Sequence, residues 1–353
     1  MKINQAAKLT ATIIALSILP GCKGPDQKPE GNTLESSAGT ATGKEGIVWK
    51  KDSLKIVMIA KSDNNPVFPT AHKGAEDAAK ELSEKTGIKI EIDWRTPPTE
   101  SPEEQAKRLQ QAVSEGADAA LMSLSGAEKV TPAIDAAVDK GCPVMTFDSD
   151  APNSKRFAFY GADDPEVGAS VLKEVVQLTE GKANVAILAG SQGAPNLQKR
   201  VQGVLDEAKK HPGIKIVGTF YHIETPQDAT AEVQKAMKAY PEINAWAMVG
   251  GWPLFAKSLL DLDPKKVKIV AVDCLPAQLD YIDKGVAPVL LAQPTYKWGY
   301  VSVQTIVDKL VYGKDVPVIN KMPLERVTKE NLNEWAKTLK EWGFEGIDPK
   351  YLK

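Results

Sequence analysis

Nine short runs of aliphatic and β-branched residues punctuate the chain, each separated from the next by a polar stretch with helical spacing. The first four begin at Lys55 (KIVMIA), Ile88 (IKIEID), Asp118 (DAALMS) and Cys142 (CPVMTFD), at intervals of 33, 30 and 24 residues. After a connecting piece at 157–160 the rhythm restarts at Ala183 (ANVAILAG), Ile214 (IKIVGTFY), Ile243 (INAWAMV), Val267 (VKIVAVD) and Pro288 (PVLLAQ), 31, 29, 24 and 21 residues apart. Most of these runs are continuously apolar rather than alternating, the pattern of strands covered on both faces.

The segments between them carry helix start and stop signals. Ser101-Pro102-Glu103-Glu104 offers an N-cap serine, a proline at the first helical position and a capping-box glutamate, with Gly116 as the stop. Asp164-Pro165-Glu166 and Thr225-Pro226-Gln227-Asp228 repeat the arrangement, and Gly181 closes the first of these two. In the opening helix Ala71, Ala75, Ala78, Ala79 and Leu82 share one face before Gly87 ends it. Strands alternating with such helices predict an α/β protein with parallel sheets covered on both faces. The nearly repeated order of spacings predicts two similar lobes.

The first 22 residues break this rhythm. Two early lysines and an apolar run from Ala11 to Leu19 lead to Leu19-Pro20-Gly21-Cys22, which reads as an export signal. Leu-x-Gly-Cys resembles the lipobox of bacterial lipoproteins, a likeness that implies acylation of Cys22 as the new N-terminus and a periplasmic or cell-surface protein held to the membrane by lipid. Residues 23–53 are mostly polar and small, too poor in large apolar groups to build a core, and read as a flexible tether. No later segment is long or apolar enough to span a bilayer.

About 300 residues remain from Leu54 onward, enough for two domains. There are 44 Lys+Arg against 46 Asp+Glu, and loss of Lys2 and Lys8 with the signal moves the net charge from −2 to −4. That balance gives no basic face for nucleic acid. Cys142 and Cys274 each sit beside an apolar run and read as buried free thiols. No residue spacing proposes a metal or other cofactor.

Ligands of open α/β sheets bind beyond the carboxyl ends of the strands. Here those ends hold Lys61 through Phe68 after the first strand, Asp148-Ser149-Asp150 after the fourth, Asp273 after Val272, and Gln293 after the last. Carboxylates, amides and a lysine facing each other across two lobes suit a hydroxyl-rich ligand, with an aromatic ring to cover its apolar face. Trp94, His222 and Glu224 also lie near strand ends, but nothing in the sequence places them in the cleft.

From about Leu54 to Met322 the chain resembles the type I periplasmic binding proteins, the ribose- and galactose-binding branch serving ABC importers. The matching residues are Asn64-Asn65-Pro66 with Phe68, Thr146-Phe147-Asp148, Gly193 to Gly203, Val270-Ala271-Val272-Asp273 and Ala292-Gln293-Pro294. The resemblance implies that Asn65 and Asp148 bind ligand hydroxyls from the first lobe, with Phe68 against the ring. From the second lobe it implies Arg200, Asp273 and Gln293. It also implies crossings near 161–163, 293–294 and 322–323, a first lobe of 54–162 and 294–322, and a second of 163–293 and 323–353. Lobes so joined close by hinge motion around the ligand. An ABC permease in the membrane would recognise the loaded form. Family members usually act as monomers.

Three departures put ribose itself in doubt. Ser149 stands where ribose binders have an arginine, Val67 where they have a second aromatic, and Gly250 where they have an asparagine. Trp252 offers the stacking surface that Val67 does not, Lys61 adds a cationic donor, and Asn196 before Arg200 adds an amide. Lys61 together with Thr146-Phe147-Asp148-Ser149-Asp150 also resembles the autoinducer-2 receptors, which keeps a sensor subunit as the alternative to an importer. Repressors share this fold, but here a signal stands where their DNA-binding helices would be. The chain has no G-x-S-x-G, H-E-x-x-H or phosphate-binding loop, and only His72, His211 and His222 as imidazole bases, so an enzyme is not indicated.

Overall fold

The structure is a computed structural model that describes residues 46–353. The signal, Cys22 and the tether up to residue 45 lie outside the described residues.

Two six-stranded sheets are built from successive halves of the chain. The first contains β1 (Ser53–Ile59), β2 (Lys89–Trp94), β3 (Ala119–Met122), β4 (Val144–Phe147) and β5 (Ala158–Gly161). The second contains β6 (Ala183–Ala189), β7 (Ile214–Tyr221), β8 (Ala245–Met248), β9 (Lys268–Val272) and β10 (Val289–Ala292). Two edge strands follow, β11 (Ile319–Lys321) and β12 (Glu325–Thr328). The orders are β11-β5-β4-β3-β1-β2 and β12-β10-β9-β8-β6-β7, so one lobe nearly repeats the other. All pairings are parallel except that of β12 with β10. The piece at 157–160, read from sequence as a connection, is largely the strand β5, paired with β4 and β11 and buried throughout.

Helices cover the sheets: α1 (Val67–Thr86), α2 (Pro102–Ser114), α3 (Ala127–Asp139), α4 (Asp164–Leu178), α5 (Pro195–Ala208), α6 (Pro226–Ala239), α7 (Leu279–Asp283), α8 (Tyr296–Leu310) and α9 (Leu332–Glu341). Ser101 and Thr225 cap α2 and α6 as their sequences predict, accepting from the amides of Glu104 and Asp228, each at 3.1 Å. The third start signal is displaced by one residue. Asp163, not Asp164, precedes α4 and caps nothing with its side chain, while Asp164 turns inward to Arg200.

Each lobe places one pair of helices in close contact through glycines. A side chain on Gly74 or Gly299 would strike backbone of α8 or α1, and one on Gly168 would sit 1.8 Å from the Arg200 carbonyl oxygen of α5. Glycine therefore sets how near α5 lies to α4, and with it the depth of Arg200. The chain passes between the sheets after β5, after β10 and after β11.

Both ends of the described chain are seated. Val48 donates its amide to Val311 O at 2.8 Å and Trp49 Nε1 donates to Ser53 O at 3.0 Å, so residues 48–52 rest on the first lobe rather than extending the tether to 53. After β12 the chain packs α9 on the second sheet, where buried Trp335 donates to Cys274 O at 2.7 Å. Trp342 then stacks on Tyr296 of α8, 5.6 Å between centroids and 5° between planes. Cys142 and Cys274 are free and buried, and burial pushes the Cys142 thiol up to about 11.

Candidate functional site

The site lies where the carboxyl ends of the two sheets face each other. Asp148 and Asp273 follow the fourth strand of their respective sheets, β4 and β9, and both take left-handed backbone, φ 54° and 71°. Such conformations cost energy in a non-glycine residue and concentrate at functional sites. Here they turn two carboxylates out of their strand ends into one space.

That space is narrow and partly open to solvent, about 40 Å³ in volume. All nine side chains singled out from the sequence line it: Lys61, Asn65, Phe68 and Asp148 from the first lobe, Asn196, Arg200, Trp252, Asp273 and Gln293 from the second. Asp150, in the same strand-end segment as Asp148, is not among them. Arg156 and Thr146 hold its carboxylate.

Lys61 and Arg200 are buried cations with different partners. Lys61 Nζ stands 3.5 Å from Asp148 Oδ2 and donates to Asn196 Oδ1 at 3.4 Å across the two lobes. Burial alone would lower its pKa, but Asp148, Glu100 and Glu224 outweigh that and hold it above the ordinary lysine value. Asp148 also accepts from Ser123 Oγ at 2.6 Å. Arg200 Nε donates to Asp164 at 2.9 Å, while its two terminal nitrogens donate to Val249 O at 3.2 Å and Gln293 Oε1 at 3.0 Å. Gln293 Nε2 then donates to Asp273 Oδ1 at 2.8 Å. Asp164, Arg200, Gln293 and Asp273 are thus linked end to end by hydrogen bonds. Desolvation by burial raises the Asp273 pKa, opposed by the Gln293 hydrogen bond and the Arg200 charge.

The aromatic walls are fixed by packing. Phe68 is buried against Phe147 and Trp298, with centroids 6.4 and 6.1 Å away. Asn65 Oδ1 accepts the Val67 amide at 3.3 Å, fixing the turn that leads into α1. A side chain at Gly250 would meet the Trp252 ring at 2.2 Å. The missing asparagine and the tryptophan two residues later are therefore one arrangement, the ring lying over the place where a side chain at 250 would project.

Three further lining residues have no place in the sequence reading, Leu197, Phe255 and Trp298, and a fourth is Glu224. Glu224, not placed in the cleft from sequence, reaches it because Gly190 leaves room: a side chain there would lie 2.8 Å from Glu224 Cγ. The Ser191 amide then donates to Glu224 Oε1 at 3.0 Å. His222 touches the Trp252 ring edge-on at 5.1 Å. Trp94 remains outside the cavity, stacked on His72 at 4.5 Å. His211 is occupied by Glu207 at 3.0 Å. No helix among the described residues is long and apolar enough to cross a membrane.

Comparison with known proteins agrees with this geometry. The xylose/arabinose-binding protein XylF of Sulfolobus acidocaldarius is 22% identical over 327 residues, covering 85% of this chain and 78% of its own. The solved structure of GanP, a glucose-galactose binding protein from Geobacillus stearothermophilus, is 28% identical with a TM-score of 0.73, over 80% of this chain and 99% of that one. A solved XylFII-LytSN complex contains a chain 29% identical with a TM-score of 0.71, over 79% of this chain and 98% of that one. Residues 56–315 match the family described as periplasmic binding protein domain. The chain belongs to that family, with the two-lobed type I fold of binding proteins rather than enzymes.

Proposed function

We propose that the protein is an extracytoplasmic solute-binding lipoprotein that captures a sugar or sugar-like polyol between its lobes and delivers it to an ABC permease. The observation that supports this most is the convergence, from both lobes, of ionised acceptors, amide and cationic donors and aromatic faces on one cavity. The Asp148 and Asp273 carboxylates accept ligand hydroxyls, Lys61, Asn65, Asn196, Arg200 and Gln293 complete the polar shell, and Phe68 and Trp252 cover the ring. Hydrogen bonds to charged groups contribute about 1.5–3 kcal/mol each, so three or four reach the roughly −8 kcal/mol of a micromolar ligand.

Closure follows from the arrangement of the chain. A ligand held by both lobes stabilises the closed form by its extra contacts there, the three crossings acting as the hinge. Lipid on Cys22 would keep the monomer near its permease.

A thermal-shift screen of the protein against pentoses, hexoses, deoxysugars, polyols and autoinducer-2 tests the reading. Ligand at a hundred times its Kd adds about 2.7 kcal/mol of stability, and the shift should vanish in Asp148→Ala and Asp273→Ala. A shift that survives both substitutions would place the ligand elsewhere. A second reading, presentation of the ligand to a membrane receptor, draws support from a relative having been solved in complex with another protein, as XylFII-LytSN. Transport of the bound sugar by vesicles carrying the cognate permease separates the two.

A further inference from the structure

A second space opens between the lobes beyond the cavity and shares Asn65 and Glu224 with it. It is far larger and open to solvent, about 840 Å³ against the cavity's 40 Å³. The β1–α1 and β2–α2 loops form one wall, with Asn64 and Glu100. The β7–α6 loop forms the other, with Tyr221, His222 and Ile223.

The chemistry of this groove is mixed in the way a sugar ring is mixed. Tyr221 and Ile223 leave apolar surface to water, 38% and 71% exposed. His222 Nδ1 lies 2.7 Å from the Ile223 carbonyl oxygen, which assigns the proton to Nδ1 and leaves Nε2 an acceptor. Nε2 is itself buried and has no hydrogen-bond partner. Desolvation lowers the His222 pKa, so the ring stays neutral at neutral pH. A buried acceptor without a donor costs stability until one arrives. Tyr221 and Ile223 offer apolar contact and Glu100 and Asn64 polar groups, with no cationic side chain among the lining residues.

We propose that this groove is a second sugar subsite, and that the natural ligand is a disaccharide or glycoside whose terminal ring enters the cavity while the next ring lies against Tyr221 and donates a hydroxyl to His222. This rests on the sugar-binding reading of the cavity. Asn65 and Glu224, which line both spaces, stand beside the linkage.

Calorimetric titration of the full chain with matched pairs separates the two claims: D-xylose and xylobiose, L-arabinose and arabinobiose, D-glucose and cellobiose, D-galactose and lactose. One disaccharide should bind about tenfold more tightly than its monosaccharide, the scale of one aromatic stacking contact. Tyr221→Ala and His222→Ala should each remove most of that gain, and Tyr221→Ala should leave monosaccharide affinity unchanged. Tyr221 is on the surface, so its variant also serves if the His222 variant is unstable. A monosaccharide that binds while every disaccharide binds equally or worse overturns the subsite and leaves the sugar-binding reading standing. A disaccharide advantage that persists in Tyr221→Ala also overturns it. Absence of binding by any member of any pair overturns both.

Discussion

Replacing Gly168 with alanine tests whether helix packing sets the binding site. The new methyl would lie 1.8 Å from the Arg200 carbonyl oxygen, about 1.5 Å short of the ~3.3 Å at which carbon and a carbonyl oxygen normally meet. The clash is with backbone, so no side-chain rotation relieves it and α5 must move away from α4. Overpacking of this kind costs about 1–3 kcal/mol, and the better helix propensity of alanine offsets about 1 kcal/mol of it. A fall in Tm of up to about 3 °C follows for a protein of this size. The same displacement draws Arg200 from Gln293 and Asp164, now 3.0 and 2.9 Å away, beyond hydrogen-bond range. Losing one charged hydrogen bond to the ligand corresponds to about 10- to 100-fold in Kd. Scanning calorimetry and titration with the sugar found in the thermal-shift screen, well below Tm, read the two effects separately. A variant as stable as the parent with unchanged Kd would refute the idea that this glycine positions Arg200.

Three more perturbations probe other links. Gly250→Asn should weaken sugar binding at least tenfold by driving the Trp252 ring aside, and Trp252→Ala on top of it should cost less than the two changes added, a coupling that a double-mutant cycle measures; strict additivity would mean the two residues are independent. Because burial raises the Asp273 pKa, its ionised acceptor is lost on acidification at a pH above the ordinary aspartate value of 3.8, so affinity should fall there, and Asp273→Asn should bind weakly at neutral pH without that acid limb. Asp280 is held below its usual range chiefly by the Tyr351 hydroxyl, then by Lys350 and Lys257; a depressed carboxylate stabilises the fold above its unfolded pKa and loses that stabilisation as pH falls through the folded value. Asp280→Asn should therefore cost about 1–2 kcal/mol at pH 7 and much less at pH 2, by urea unfolding at both pH values.

The strand rhythm made both sheets legible because each central strand is an uninterrupted apolar run. Two short edge strands escaped, since INK at 319–321 and ERVT at 325–328 are too brief and polar to stand out from loop sequence. The rule that ligands sit beyond carboxyl strand ends, joined to the family resemblance, led to the nine lining residues. What it could not reach were contacts set by tertiary packing. Trp298 comes from the first turn of α8, not from a strand end, and its place follows from Gly299 meeting Ala71 in a distant helix. Glu224 enters only because Gly190, 34 positions earlier, has no side chain. The inward turn of Asp164 had the same cause: its partner Arg200 is local in space but not in sequence.

Hydrogen–deuterium exchange of the protein with and without saturating sugar would decide whether one ligand is gripped by both lobes. Slowed exchange is expected at 61–68 and 148–150 in the first lobe, at 190–200 and 250–252 in the second, and at the three crossings. Protection confined to one lobe, or none at saturation, would contradict it.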